Sequence, residues 1–249
     1  SIIESSDGLM IARGDLGVEM PTEQIPVIQK NIINKCRNYG KPVIVATQML
    51  ESMISNHTPT RAEASDVANA IYDGTDAVML SAESAMGSFP IESVTIMNRI
   101  IESVEKDDNN FNLEAKHEEK SILNKKISTT DAITSAAYTI AKNAEAKAIV
   151  TFSVSGKTTM RMSRERAPVL IVSLSPNLYT ARKSQITWGV FSIHTKQDAQ
   201  STTEMVSIAC MALKDKKLAE PGDSIVITAG IPFGNAGSTN LLRIAEIID

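Results

Sequence analysis

Cysteine is scarce: the 249 residues include two, Cys36 and Cys210. Each stands alone in a stretch of helical pattern, with no second cysteine or histidine at metal-binding spacing. Two buried free thiols are expected, and a disulfide framework or a zinc site is not. Long apolar runs are also missing, none approaching the roughly 20 residues that cross a bilayer. The opening Ser1-Ile2-Ile3-Glu4 lacks the basic-then-apolar order of a secretory signal. No membrane partner is expected, and a cytoplasmic location is. Nor is there a basic excess: 25 Lys and Arg stand against 29 Asp and Glu, a net charge of −4. That leaves no general electrostatic reason to expect nucleic acid, so small molecules are the expected partners. The three histidines, His57, His117 and His194, have no ligand-spaced neighbours and are assigned no role. The chain also starts without Met, in what reads as the tail of a helix running into a strand, as a piece of a longer polypeptide would.

What is present is an alternation. From Gly8 to about Glu105 a short apolar run, a polar turn and an amphipathic stretch repeat. The runs are Leu9-Met10-Ile11-Ala12, Val43-Ile44-Val45-Ala46 and Ala77-Val78-Met79-Leu80. Each is short and uniformly apolar, the pattern of a parallel strand covered on both faces. Helical stretches lie between them, from about Thr22 to Tyr39, closed by Gly40 and Pro42, and from about Arg61 to Tyr72, closed by Gly74; a third starts after Pro90. Strand then helix, three times over, predicts a parallel α/β architecture. Between Glu105 and Thr129 polar residues crowd together, as in Lys106-Asp107-Asp108-Asn109-Asn110 and His117-Glu118-Glu119-Lys120, although Phe111, Leu113, Ile122 and Leu123 could anchor such a stretch. We place a domain boundary here, with units 1–106 and 107–249. Beyond it, strands are predicted near Ala148 to Phe152, Val169 to Ser173, Val190 to Ile193, Ser224 to Thr228 and Leu241 to Ile247. Helices should fill the gaps between the first four, making a smaller open-sheet α/β domain.

In barrels and open parallel sheets, ligands sit at the carboxyl ends of the strands. After the first run come Arg13-Gly14-Asp15, after the second Thr47-Gln48, after the third Ser81-Ala82-Glu83-Ser84. Asp15 offers a hard oxygen to a divalent cation such as magnesium. Gly14 lets the backbone approach an anion, and Thr47 adds a hydroxyl that can donate to it. Taken singly, Asp15, Thr47 and Ser81 are residue types that cap turns and helix starts everywhere. Three polar clusters at three successive strand ends point to a shared site without naming its reaction. In the second half, Ser155-Gly156-Lys157-Thr158 follows an apolar strand and opens a helix, where free N–H groups and a lysine suit a phosphate. A nucleotide-binding P-loop would need glycine at position 151, which is Thr151.

The strings themselves resemble the pyruvate kinase family. They are Ser6-Asp7-Gly8-Leu9-Met10-Ile11-Ala12-Arg13-Gly14-Asp15-Leu16-Gly17-Val18-Glu19, then Lys41-Pro42 through Met53, then Pro59-Thr60-Arg61-Ala62-Glu63 with Ser65-Asp66-Val67-Ala68-Asn69-Ala70. The resemblance implies a partial (β/α)8 TIM barrel, its last three strand-helix units, followed by a regulatory α/β domain, with the first part of the barrel absent. It implies phosphate transfer from phosphoenolpyruvate to ADP, giving pyruvate and ATP, with Mg2+ (or Mn2+) and K+. Asp15 would be one of two carboxylate ligands of the magnesium. The backbones of Gly14 and Asp15 and the Thr47 hydroxyl would hold the substrate carboxylate. Arg61 resembles a residue beside a subunit contact, and the family forms tetramers. Ser155, Gly156, Lys157 and Thr158, with Pro232-Phe233-Gly234-Asn235-Ala236-Gly237-Ser238-Thr239-Asn240, resemble the pocket for a sugar-phosphate or AMP effector. Two departures from the family stand out: Ser81-Ala82-Glu83-Ser84 replaces Ser-Gly-Glu-Thr, and, the larger one, several strands and the lid domain that closes over ADP are not in this chain; in the second half Val154 also interrupts a stretch that is often polar. The family's catalytic lysine, phosphate-binding arginine, second carboxylate and potassium ligands have no match here, so the chain alone is expected to be inactive. Two other readings fit parts of the pattern: a magnesium-dependent enolate lyase or aldolase barrel, and a stand-alone phosphometabolite-binding module.

Overall fold

The computed structural model describes residues 2–107, 128–234 and 239–248. They form two compact units, one before and one after residues 108–127. The expected anchors Phe111, Leu113, Ile122 and Leu123, and His117, lie outside the described residues.

In the first unit the order is α1 (Ile2–Ser5), β1 (Leu9–Ala12), α2 (Arg13–Glu19), a 3-10 turn (Thr22–Gln24) and α3 (Ile25–Tyr39). Then come β2 (Val43–Ala46), a second 3-10 turn (Glu51–Ile54), α4 (Arg61–Tyr72), β3 (Ala77–Met79), α5 (Ala82–Ala85) and α6 (Pro90–Glu105). The strands pair in parallel in the order β1-β2-β3. Leu9 stands opposite Val43 and Ile44 opposite Ala77, so Ala12, Ala46 and Met79 are level. The residues that follow them therefore emerge along one edge. Helix α3 buries Gln29, Ile33 and Cys36, three and four residues apart and hence on one face. It ends at Gly40, whose φ of 64° is left-handed and natural only for glycine. Helix α4 starts with a capping box in which Thr60 and Glu63 satisfy each other's backbone N–H. Its Val67 and Ala70 join Ile33, Val45, Met53 and Met97 in the core, where each fully buried large side chain contributes about 1.5–3 kcal/mol.

The three strands differ in cover. Three of the four residues of β2 are fully buried, as expected. The outer strands β1 and β3 are only partly covered, and Met10 of β1 is 53% exposed. The expectation of burial on both faces therefore holds only for the strand with neighbours on either side. The residues after β1 also do not form a loop: Arg13-Gly14-Asp15 is the first turn of α2.

The second unit contains α7 (Thr129–Asn143), β4 (Ala148–Phe152), α8 (Lys157–Arg164), β5 (Leu170–Ser175) and α9 (Leu178–Ser184). It continues with β6 (Val190–His194), α10 (Thr202–Asp215), β7 (Ser224–Ala229) and β8 (Leu241–Glu246). The sheet order is β6-β5-β4-β7-β8, parallel except for the antiparallel β8. Strand β4 is buried throughout because the two faces of the sheet are both covered. Ala148, Val150 and Phe152 pack with Met205, Ala209 and Leu213 of α10. Ile149 packs on the other face with Ala137, Ala141 and Met162. Successive strands run outward from β4 through β5 to β6, and the chain then crosses to β7 on the other side of β4. The carboxyl ends of β4 and β7 thus flank a topological switch point, where open α/β sheets bind ligands.

Candidate functional site

At the level strand ends of the first unit, Gly14 and Thr47 meet. Gly14 lies in the first turn of α2, where a backbone N–H has no carbonyl one turn earlier to bond. Its N–H donates to Thr47 Oγ1 at 2.8 Å, and the Thr47 hydroxyl donates in turn to the Ala46 carbonyl at 2.6 Å. A Cβ on Gly14 would sit 3.6 Å from Thr47 Oγ1, an ordinary contact, so the glycine leaves the hydroxyl uncovered rather than preventing a clash. Asp15 follows, exposed, with no hydrogen bond or ion pair among the described residues. Thr47 and Gln48 both have left-handed backbones, φ 67° and 53°. That conformation is uncommon outside glycine and an outlier for a β-branched residue, and such outliers gather at functional sites.

Two buried or half-buried carboxylates brace these loops. Glu83 is 2% exposed. It accepts from the Leu50 N–H at 3.1 Å and the Ser81 N–H at 2.7 Å, joining the segments that follow β2 and β3. The carboxylate kept in Ser81-Ala82-Glu83-Ser84 is thus committed to the scaffold, and the Ser81 backbone is held by it. Glu63 accepts from the N–H and hydroxyl of Ser52 at 2.7 and 2.6 Å and from those of Thr60 at 2.7 and 2.8 Å. Burial opposes its charge, but these donors hold its carboxyl below the usual glutamate range. Arg61 opens α4 on the surface. Burial, aided by Asp76, pushes the Cys36 thiol up to about 11, which suits packing rather than chemistry.

In the second unit the predicted loop lies at the switch point. Gly156 caps α8 with φ 80°, and a Cβ there would come within 3.3 Å of Thr180 Cγ2. Thr180 donates to the Val154 carbonyl at 2.9 Å, fastening the loop from below. Thr158 is buried and shares a 2.6 Å hydroxyl bond with Thr239, tying the segment after β4 to the one before β8. Ser155 and Lys157 face solvent, and Lys157 has no partner among the described residues. The second glycine-rich segment is described only in part: Asn240 bridges to Ile231 through both its N–H and its carbonyl, at 2.8 and 2.7 Å, and the Gly234 N–H donates to Asp198 at 3.0 Å. Asn235, Ala236, Gly237 and Ser238 lie outside the described residues.

The sequence-predicted residues therefore fall into two groups, Gly14, Asp15 and Thr47 in the first unit and Ser155, Gly156, Lys157 and Thr158 in the second. Sequence reasoning gave Arg13 and Asp66 no role of their own and named Thr239 only as a member of the second glycine-rich segment. A buried arginine has no periodic signature, and Thr239 stands 81 residues from its partner. Cys36 and Cys210 are buried free thiols. Trp188 packs under Arg166, whose guanidinium carbon is 4.7 Å from the ring centre. His57 lies beside Phe89 and 3.9 Å from Glu92, and His194 reaches the Pro176 carbonyl. Among the described residues no helix is long and apolar enough to cross a membrane.

Comparison with known proteins finds a family match in each half of the chain. The family model "Pyruvate kinase, barrel domain" matches residues 1–94, and "Pyruvate kinase, alpha/beta domain" matches 131–245. A pyruvate kinase of Methylorubrum extorquens is 49% identical over 247 residues, 99% of this chain and 50% of its own. One of Geobacillus stearothermophilus is 45% identical over 253 residues, covering 100% of this chain and 41% of its own. The crystal structure of a pyruvate kinase from Cryptosporidium parvum superposes with a TM-score of 0.86 at 38% identity, over 99% of this chain and 48% of that one. The chain spans about half the length of the relatives it matches. These names do not favour a lyase or aldolase barrel or a stand-alone binding module. Two domain models matched in chain order, with relatives aligned from end to end of the sequence, mean that the chain belongs to the pyruvate kinase family, of which it carries part of the barrel domain and the α/β domain.

Proposed function

We propose that this chain supplies part of the site of an enzyme that transfers phosphate from phosphoenolpyruvate to ADP, giving pyruvate and ATP. The observation that carries the reading is the Gly14–Thr47 bond beside the uncommitted carboxylate of Asp15, at the level ends of β1 and β2. A substrate carboxylate would be held by the backbones of Gly14 and Asp15 and by the Thr47 hydroxyl, the Gly14 N–H being shared between Thr47 Oγ1 and the anion. That hydroxyl now donates to Ala46 and would turn its proton to the incoming anion. Asp15 fits a hard divalent cation, magnesium or manganese. Asp15 would be one of two carboxylate ligands, the second lying outside this chain; among the described residues no group of three or more His, Cys, Asp or Glu could hold a metal. When bound, the cation supplies positive charge that stabilises the enolate left as phosphate departs. The residues of this chain fix the carboxylate end of that enolate and orient it. Potassium is expected in the same enzyme with no ligand from these residues.

In the second unit, Ser155, Gly156, Lys157 and Thr158 are proposed to bind a phosphorylated effector, a sugar phosphate or AMP, at the switch point. The bound-together Thr158 and Thr239 and the solvent-facing Lys157 support this. A cytoplasmic homotetramer, with 1–106 and 107–249 as its domains, completes the reading.

The test is a coupled assay of pyruvate formation on a polypeptide of the relatives' length carrying this chain, with phosphoenolpyruvate, ADP, magnesium and potassium. Turnover is expected, and Asp15→Asn is expected to lower it at least about 100-fold, because a metal ligand acts on transition-state charge. The 249 residues alone are expected to give none, since barrel enzymes draw catalytic groups from several strands. Near-normal turnover and magnesium dependence in Asp15→Asn would overturn the assignment.

A further inference from the structure

We propose that Arg13, anchored by Asp66, is a positioning residue that holds Thr47 in its left-handed backbone and so aims its hydroxyl at the substrate end of the sheet. Arg13 is 8% exposed, and its guanidinium is divided between the segment after β2 and Asp66. The Nε and one terminal nitrogen donate to the Thr47 carbonyl at 3.3 and 2.8 Å, and that same nitrogen reaches the Gln48 carbonyl at 3.1 Å and Met49 Sδ at 2.9 Å. The other terminal nitrogen pairs with Asp66 of α4 at 2.6 Å. Two successive carbonyls turned toward a single side chain are those of the two residues with positive φ, 67° and 53°. A backbone in this region persists only where its surroundings over-determine it. Here the guanidinium fork meets the carbonyls of Thr47 and Gln48, and Gly14, the residue after Arg13, meets the Thr47 hydroxyl.

The segment is thus gripped at its carbonyls and its side chain by neighbouring residues of one turn of α2. Lysine could not replace this grip. Its ammonium is a compact point charge, whereas the planar fork of arginine can serve two carbonyls and a carboxylate at fixed angles. Asp66 is 40% exposed at its side chain, so its part is to orient the fork rather than to bury charge.

The consequence for catalysis rests on the proposed function above, but the consequence for the grip does not, and two measurements separate them. The first is amide exchange at Gly14 in the 249-residue chain. In Thr47→Val the acceptor is gone, and Gly14 is expected to exchange at least about 10-fold faster, a loss comparable to about 1.4 kcal/mol. Arg13→Lys should reproduce that acceleration, with amides of α3 and α4 unchanged. Asp66→Asn should give the same pattern more weakly, which covers the case of Arg13→Lys failing to fold. Gly14 exchange within twofold of wild type in both Arg13→Lys and Asp66→Asn would overturn the proposal, whatever the enzyme does.

The second is kinetic, on a polypeptide of the relatives' length. Arg13→Lys and Thr47→Val should each raise KM for phosphoenolpyruvate about 10-fold, with the smaller effect on kcat. The double variant should be no worse than Thr47→Val, because both act through one hydroxyl. Independent effects that multiply would refute action through Thr47. If wild type shows no turnover while Gly14 responds as expected, the grip stands and the functional reading falls.

Discussion

Asp131 joins the start of α7 to the end of α8, and replacing it should loosen the second unit measurably. Its carboxylate accepts from the Ser128 hydroxyl at 2.6 Å and from Arg164 at 2.7 Å, and it pairs with Arg161 as well. Partial burial opposes its charge, but these donors outweigh that and hold the carboxyl well below the usual aspartate range. Asp131→Asn keeps the shape and removes the charge. Arg161 is 36% exposed and its pair is worth under about 1 kcal/mol. Arg164 is 12% exposed, and a charge-assisted bond of that kind is worth about 1.5–3 kcal/mol. It keeps Glu165 at 3.0 Å as a second partner, so the lower half of that range applies. The sum is about 2–3 kcal/mol, or roughly 10 °C for a domain of this size. Trp188 is the single tryptophan and lies in this unit, so its fluorescence in a urea titration reports this unit alone. The sign with pH follows from the lowered carboxyl: the stability it contributes is fully present above the unfolded aspartate value of about 4 and is lost as pH falls below it. Wild type should therefore exceed Asp131→Asn by a constant margin from pH 7 to about 5, and the margin should shrink below about pH 4. Equal urea midpoints at pH 7, or a margin that grows on acidification, would refute the reasoning.

Lys157→Ala should weaken binding of a sugar phosphate or AMP by about 10- to 100-fold, as the loss of one charge-assisted hydrogen bond predicts; calorimetry on wild type and variant checks this, and absence of any binding by wild type would remove the idea. Gly156→Ala should cost the second unit about 1–3 kcal/mol, because φ 80° and a contact of 3.3 Å to Thr180 both oppose a Cβ; the same Trp188 titration reads it, and an unchanged midpoint would show that the loop relaxes freely.

Much of this protein was legible in the order of its residues. Three apolar runs, each followed by a helical stretch, are what a parallel sheet requires, and β1, β2 and β3 lie where those runs do. Gly40 and Gly74 close helices α3 and α4 because a left-handed residue is needed there, with φ of 64° and 91°. The polar residues after each run were bound to share one edge once the strands were parallel and level. Local chemistry of this kind is written in composition and spacing. The Thr60-Arg61-Ala62-Glu63 capping box was also visible in principle, though its further grip on Ser52 was not.

Tertiary structure alone decided the rest, because it depends on groups far apart in sequence. That Thr47 would be left-handed follows from no propensity of threonine; its carbonyl meets the guanidinium of Arg13, 34 positions away, which in turn pairs with Asp66 of α4. That Glu83 would be a buried brace rather than a ligand depends on Leu50 approaching it. The switch point between β4 and β7 arises from where the chain crosses the sheet, which no periodicity records. Periodicity tells a residue which way to face; only the packed chain tells it whom it meets.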